Sequence, residues 1–450
     1  MIVGISKSTY GIPTSCNRKQ PPYQVFSYIS KFYCFGVSCQ TRFMISKRPS
    51  SLLIAALRIT GRSLAVILLV LFTLVCISGV SPVYRFSRPE PFTGPDIFDP
   101  YAGLDTAHTW KRANFHTHTR VEGIFNECTH SPQATYDSLK GYGYDIVTFS
   151  NHNELTEHPF DSSLAVNVYE HGYNLFKYHK LVFGSDKVWH WDNILPLFTF
   201  QRQAQMDRLS RDSDLIQLNH PARTNGTSKK GMERLSGYDI MELDSGKTTS
   251  QEYWDWALSA GHYSFALAND DLHYPDRSRC IAVRCNFLDT PSARYEDLLT
   301  TLREGCYYCM RIPDYGNGDW KTKHRLNAEL PAVRDIGLKD GTVFLRLTET
   351  ADSIRVTGQD HRTLFQVYGD DELEYAFRPE DSYARLTAWF PDGEVIYSNV
   401  FARYDSSLSA LPGSTGTHSI SVAGTLAYNL GLLILCIFAV MLTIRITRKK

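Results

Sequence analysis

The chain predicts an α/β barrel followed by a small all-β domain, the pair held between two membrane-spanning helices. Three observations predict it. Short apolar runs alternate with helix-like stretches from Lys111 onward, as in a parallel sheet. Most of those runs end in histidine or aspartate, and functional groups at strand ends favour a barrel over an open sheet. An uncharged apolar segment lies on each flank, at Leu64–Val80 and Gly424–Ile444.

The strand runs come in order. Asn114 to His116 closes the first. Ser131-Pro132 opens a helix with an N-cap and a first-turn proline, and Gly141 and Gly143 stop it. Tyr144–Ser150 is an apolar run delivering His152, and Leu181–Gly184 stands ahead of Asp186. Leu215–Leu218 delivers His220; Tyr238–Leu243 delivers no histidine. A helix closes at Gly261, and Tyr263–Ala268 leads to Asp271 and His273. After Leu338 come short strands, with Asp340-Gly341 and Asp392-Gly393 as hairpin-type turns.

The chain then divides as 1–62 a basic cytoplasmic segment, 63–81 a membrane helix, 82–110 a linker, 111–335 the barrel and 336–405 the β-domain. A linker over 406–422, a second membrane helix over 423–444 and a basic tail over 445–450 complete it. Residues 1–62 carry nine Lys or Arg and no acid before Glu90, and Arg445, Arg448, Lys449 and Lys450 follow the second span. Basic residues outside both spans place both termini in the cytoplasm and the domain between them outside it, in periplasm, at the cell surface or in a lumen. Met44 is an alternative start. Zero formal net charge gives no global field for nucleic acid, and two spans without intramembrane charge argue against a pore or transporter. Cys306 and Cys309 form a CxxC without a partner pair at zinc-finger spacing, which reads as packing or a local disulfide.

The chemistry-bearing residues form a set: His116-Thr117-His118, Asn151-His152-Asn153, Asp186 to His190, Asn219-His220-Pro221 and Asp271-Leu272-His273. Two histidines two apart on a strand end face one side and suit one ion. Mixed imidazole and carboxylate groups suit zinc, manganese or iron rather than all-oxygen magnesium or calcium sites. Arg120 and Arg223 stand where cations would meet a phosphate.

This ordered set, with the phrase GYDIVTFSNHNE and the Ser131-Pro132 helix start, resembles the polymerase-and-histidinol-phosphatase (PHP) superfamily of metal-dependent phosphoesterases over roughly Lys111–Pro313. Tyr397-Ser398-Asn399 in the late strands is similar to the carbaryl-hydrolase-like branch. The resemblance implies a distorted seven-stranded (β/α) barrel holding two or three divalent ions. It implies that His116, His118 and Asp271 bind one ion and that Asp186 bridges. His220 with His190, or Asp192, would hold a second, and His152 and His273 with Glu127, or His130, a third. Asp271 or His273 would orient the attacking water. The expected protein is a membrane-anchored, extracytoplasmic metal-dependent hydrolase of a phosphoester or another ester, meeting the bilayer through its two helices, with no nucleic acid partner. The alternative is a membrane-anchored envelope binding or assembly module that keeps its metals structurally.

Overall fold

The computed structural model describes residues 51–104, 109–122, 126–159, 166–224, 226–246 and 248–448. The basic segment through position 50, Met44, Asn225 of the Asn225-Gly226-Thr227 sequon, and Lys449 and Lys450 lie outside the described residues. By internal contacts the chain divides at Arg58. The described part of the first unit is the opening of the helix Ser51–Ser78. The second unit, Ile59–Lys450, holds every described strand.

Nine strands build the part that carries the ordered motif set: β1 Trp110–Asn114, β2 Ile146–Val147, β3 Val168–His171, β4 Lys180–Phe183, β5 Leu215–Leu218, β6 Ile240–Ser245, β7 Phe265–Asn269, β8 Arg284–Asp289 and β9 Tyr307–Arg311. One sheet runs β7-β6-β5-β4-β3. Its β3–β6 positions are buried throughout, so apolar character rather than alternation marks these strands. The other sheet contains β9-β8-β1-β2.

The expected barrel is not a closed ladder. β8 lies antiparallel on β1, where a barrel would pair β1 with β7. The Asn286 side chain of β8 substitutes for a strand neighbour: its Nδ2 donates to the Ala268 carbonyl at 2.9 Å and its Oδ1 accepts from the Ala268 amide at 2.8 Å. The two sheets meet by backbone at two isolated bridges. Thr117 bridges to Leu272, and His152 to Glu170, both in parallel sense. Nor is the sheet purely parallel. β4 runs antiparallel to β3 and to β5, while β5–β6 and β6–β7 are parallel. β1, β2, β3, β5, β6 and β7 therefore point one way, and β4 and β8 the other.

The helix Pro132–Gly141 begins as its sequence predicts. Ser131 Oγ accepts from the Ala134 amide at 3.2 Å, and Pro132 takes a first-turn place that needs no amide donor. Leu139 is its buried anchor. Beneath the strand ends, Phe115, Val168, Leu181, Phe183, Ile240 and Leu267 fill a hydrophobic core.

The late strands are β10 Val333–Lys339, β11 Thr342–Gly358, β12 Arg362–Ala376, β13 Tyr383–Trp389 and β14 Val395–Tyr397. Asp340 (φ 49°) and Gly341 (φ 75°) make the tight turn between β10 and β11. β11 runs from Thr342 to Gly358 as one long element where the sequence predicts short strands. These strands extend the second sheet rather than form their own, because β14 pairs with β9. On another side, Asp255 of the helix Gln251–Ser259 receives Arg385 Nε and Nη2 of β13 at 2.8 and 2.7 Å, with all atoms buried. The seven described cysteines, among them Cys306 and Cys309, are free thiols.

The helices Ser51–Ser78 and Val422–Arg448 are long and apolar enough to cross a membrane, by length and composition. Their domain-side ends are tied together. Asn429 Oδ1 accepts from the Ser81 amide at 3.2 Å, and Tyr84–Phe86 pairs antiparallel with His418–Ile420.

Candidate metal centre

Strand direction decides what reaches the common end. β1 carries its chain on to His116 and His118; both are buried, with ring centroids 5.2 Å apart. The loop after β2 brings His152, β5 brings His220, and β7 brings Asp271 and His273. Because β4 is reversed, its entry faces this end, and the residue delivered there is His179, not Asp186 beyond its exit. Asp186 and His190 are exposed and take no part in the grouping. The carboxylate at the centre is Glu170 of β3.

Glu170 sits like a bridge. Its Oε1 lies 3.3 Å from His116 Nε2, 3.0 Å from His179 Nδ1 and 3.4 Å from His220 Nε2. Its Oε2 lies 3.3 Å from His118 Nε2 and 3.2 Å from His152 Nε2. Asp271 Oδ1 is 3.3 Å from His116 Nε2 and 3.4 Å from His118 Nε2. Four overlapping sets have donor atoms close enough to share an ion: His116–His118–Asp271, His116–Glu170–His220, His152–Glu170–His179 and His118–His152–His273.

Glu127, half exposed, lies 2.8 Å from His273 Nε2 and 3.6 Å from His152 Nε2. Its alternative, His130, stays outside, with its carbonyl accepting from the Arg120 amide. Asp192 is buried elsewhere: its Oδ2 accepts from the Tyr173 and Asn174 amides at 2.9 and 3.1 Å. Arg120 is exposed, and Arg223 donates from Nη1 to Asp271 Oδ2 at the rim.

The residues fit divalent cations. His116 Nε2, His118 Nε2, both ring nitrogens of His220 and Asp271 Oδ1 are buried without a hydrogen-bond partner. Buried polar atoms left unpaired cost about 1–3 kcal/mol each, so a cluster of them facing one small space calls for a cation. Burial opposes charge on Glu170, but His152 and His116 outweigh it and hold the carboxyl well below its usual range. Asp271 is likewise held well down against its burial, by His116 and His118. Burial lowers His179 to about 4, which keeps its ring neutral, the form a metal takes.

Surrounding groups aim the donors. Glu242 of β6 accepts His116 Nδ1 at 2.8 Å, fixing Nε2 toward the centre, and its other oxygen accepts the His220 amide at 2.9 Å. Asn219 Nδ2 donates to Glu170 Oε1 at 2.9 Å. Three non-glycine residues here hold left-handed backbone: Asn153 (φ 51°), His220 (φ 26°) and Asp271 (φ 50°). Such strain persists only where surrounding contacts over-determine it, and functional sites are where it gathers.

Glu170, His179 and Glu242 are the residues that sequence reading missed. Each carried a signal: an acid inside an apolar strand run, in Val168-Tyr169-Glu170-His171 and Ile240-Met241-Glu242, and a histidine just before one, in His179-Lys180-Leu181.

No protein-family model matches the chain, and no curated protein does. Among solved structures, the chain is similar to a two-domain protein from Bacteroides vulgatus ATCC 8482 containing a predicted PHP-like metal-dependent phosphoesterase. Identity is 14%, coverage 69% of this chain and 98% of that one, and TM-score 0.34. It is also similar to a lesion-specific endonuclease from Pyrococcus furiosus, at 13% identity, 43% and 56% coverage, and TM-score 0.30. Likenesses this distant carry no function across; the chemistry has to come from the site itself.

Proposed function

We propose that the chain is a membrane-anchored, metal-dependent hydrolase, with a phosphoester as its substrate class. One observation carries this: a single buried carboxylate, Glu170, whose two oxygens face different histidine sets, His116, His179 and His220 on one side and His118 and His152 on the other. A carboxylate so flanked suits two neighbouring divalent ions. Six histidines with Glu170 and Asp271 offer donors for two or three, of zinc, manganese or iron character. The ordered motifs that resemble the PHP phosphoesterases support the same reading.

Bound here, such ions supply Lewis acidity and bring the pKa of a water toward neutrality. The protein's own groups do the rest. Glu242 and Asn219 hold His116 and Glu170 in place before substrate arrives. Arg223, at the rim beside Asp271, meets an anionic substrate oxygen, and Arg120 offers a second cation. His273 Nε2, 2.8 Å from the half-exposed Glu127, completes the donor set on that side. Asp271, with Oδ1 unpaired and Oδ2 on Arg223, is placed to orient the attacking water. On this reading the two helices, long and apolar enough to span a bilayer, serve as the anchor, and the basic residues on their outer flanks support an extracytoplasmic domain.

The test is metal analysis of the full chain in detergent, followed by a panel of phosphomonoesters, phosphodiesters and carboxylic esters. Stoichiometric metal with turnover of a phosphoester supports the reading. Stoichiometric metal with no turnover on any substrate supports the binding-module alternative instead.

A further inference from the structure

We infer that the rim of the metal centre lies in the membrane interface, so that the substrate is a phosphoester carried in a lipid headgroup. This rests on the proposed hydrolase activity and membrane anchoring. Two loops form the rim in question. One, residues 172–178, is the turn between β3 and β4, so it joins Glu170 to His179. The other is residues 191–198. Their outward residues are apolar: Tyr173 is 41% exposed, Leu175 71%, Trp191 45%, Leu197 57% and Phe198 48%. The charges in these loops are Lys177, which is exposed, and Asp192, which is buried.

The loops are fastened to each other and to β3. Leu175 donates its amide to the Ile194 carbonyl at 3.1 Å, and Asp192 takes the Tyr173 and Asn174 amides. His171, on the face of β3 opposite Glu170, places Nε2 3.0 Å from the Trp191 carbonyl. The same segment is fastened to the two apolar helices where they leave the domain. Ile194 donates its amide to Ser78 Oγ at 3.2 Å, and Asn193 Nδ2 donates to the Ser78 carbonyl. Gln201 Nε2 donates to the Gly79 carbonyl at 3.2 Å and to Tyr428 Oη at 3.1 Å. Phe198 and Phe200 stand edge-on to Tyr428, with centroids 6.2 and 5.0 Å away.

The occupant of this surface is set by that continuity. Tyr428 belongs to the helix Val422–Arg448 and Ser78 ends the helix Ser51–Ser78, so the exposed aromatic and leucine side chains begin where the spans end. Aromatic rings at that depth are what a headgroup layer accommodates, and an exposed lysine among them suits anionic lipid. A freely diffusing substrate needs no apolar rim; a headgroup ester does. The reaction is hydrolysis of a P–O ester bond. A water oxygen bonds to phosphorus, the ester bond breaks, and the leaving alkoxide takes up a proton, with no redox partner required.

The test uses the full chain reconstituted in phosphatidylcholine–phosphatidylglycerol vesicles. Brominated lipid should quench tryptophan emission more in wild type than in Trp191→Phe. Turnover of vesicle phosphatidylglycerol should fall roughly tenfold or more in Leu175→Asp/Leu197→Asp, the effect of charging two apolar bilayer contacts. Turnover of soluble bis(p-nitrophenyl) phosphate should stay within about twofold, since neither leucine touches the metal centre. Equal quenching in wild type and Trp191→Phe, with both substrates cleaved alike by the double variant, overturns the inference and leaves the hydrolase reading standing. Failure to cleave either substrate overturns the hydrolase reading and the lipid-ester class with it; the bilayer contact then stands or falls on the Trp191 quenching.

Discussion

Two side chains set the chemistry at the residue scale, and neither is a histidine of the ordered motifs. Glu170 gathers the imidazoles, and Glu242 aims one of them. Glu242→Gln should keep the fold and weaken metal binding by about 10–100-fold, the usual cost of losing a group that orients a ligand; competition with a calibrated chelator would measure it. Asp186→Asn and His190→Ala should leave metal content unchanged, because both side chains are exposed beyond the wrong end of β4. The histidines at 116, 118, 152, 220 and 273 were legible because each stands just past an apolar run. Glu170 was not, because an acid inside Val168-Tyr169-Glu170-His171 reads equally well as one face of an edge strand until the neighbouring strands bury it.

At the scale of elements, most strand runs were legible, but their directions were not. Leu215–Leu218 appears as read, and strands do follow Leu338. The reversal of β4 could not be read, since a four-residue apolar strand looks the same in either sense. That ambiguity is why the run Leu181–Gly184 leads to Asp186 in the sequence, while the fold presents His179 at the other end. The same limit hid β8, whose insertion beside β1 keeps the strands from closing into a barrel.

Two element contacts invite measurement. Ser131→Ala removes the N-cap bond to Ala134 and should cost about 1 kcal/mol in denaturant unfolding. Arg385→Met removes the guanidinium from the buried Asp255 carboxylate, leaves Tyr383 Oη and His361 Nδ1 as its partners, and should cost about 3 kcal/mol. Burial raises the Asp255 carboxyl, but Arg385 outweighs it and holds it below its usual value. In wild type its contribution is therefore complete above an unfolded value of ~3.9 and is lost as pH falls through the lower folded one. The stability gap between wild type and Arg385→Met should narrow over that acid range; a gap constant with pH would refute the pairing.

For the molecule as a whole, the two apolar helices converge on one end of the domain, joined by the Asn429–Ser81 bond and the short strand pair beside it. Composition made the helices legible; their lateral tie was not, because it depends on polar residues far apart in sequence. The full chain should stay with membranes through alkaline carbonate extraction, and release into the soluble fraction would contradict anchoring.

The central claim is that one carboxylate bridges a polynuclear centre. The direct measurement is metal content of the purified full chain beside Glu170→Gln, with circular dichroism to check the fold. Two or more equivalents in wild type, falling by at least one in a folded Glu170→Gln, is the predicted result. Unchanged stoichiometry in that variant, or a wild type that binds no transition metal, would contradict it.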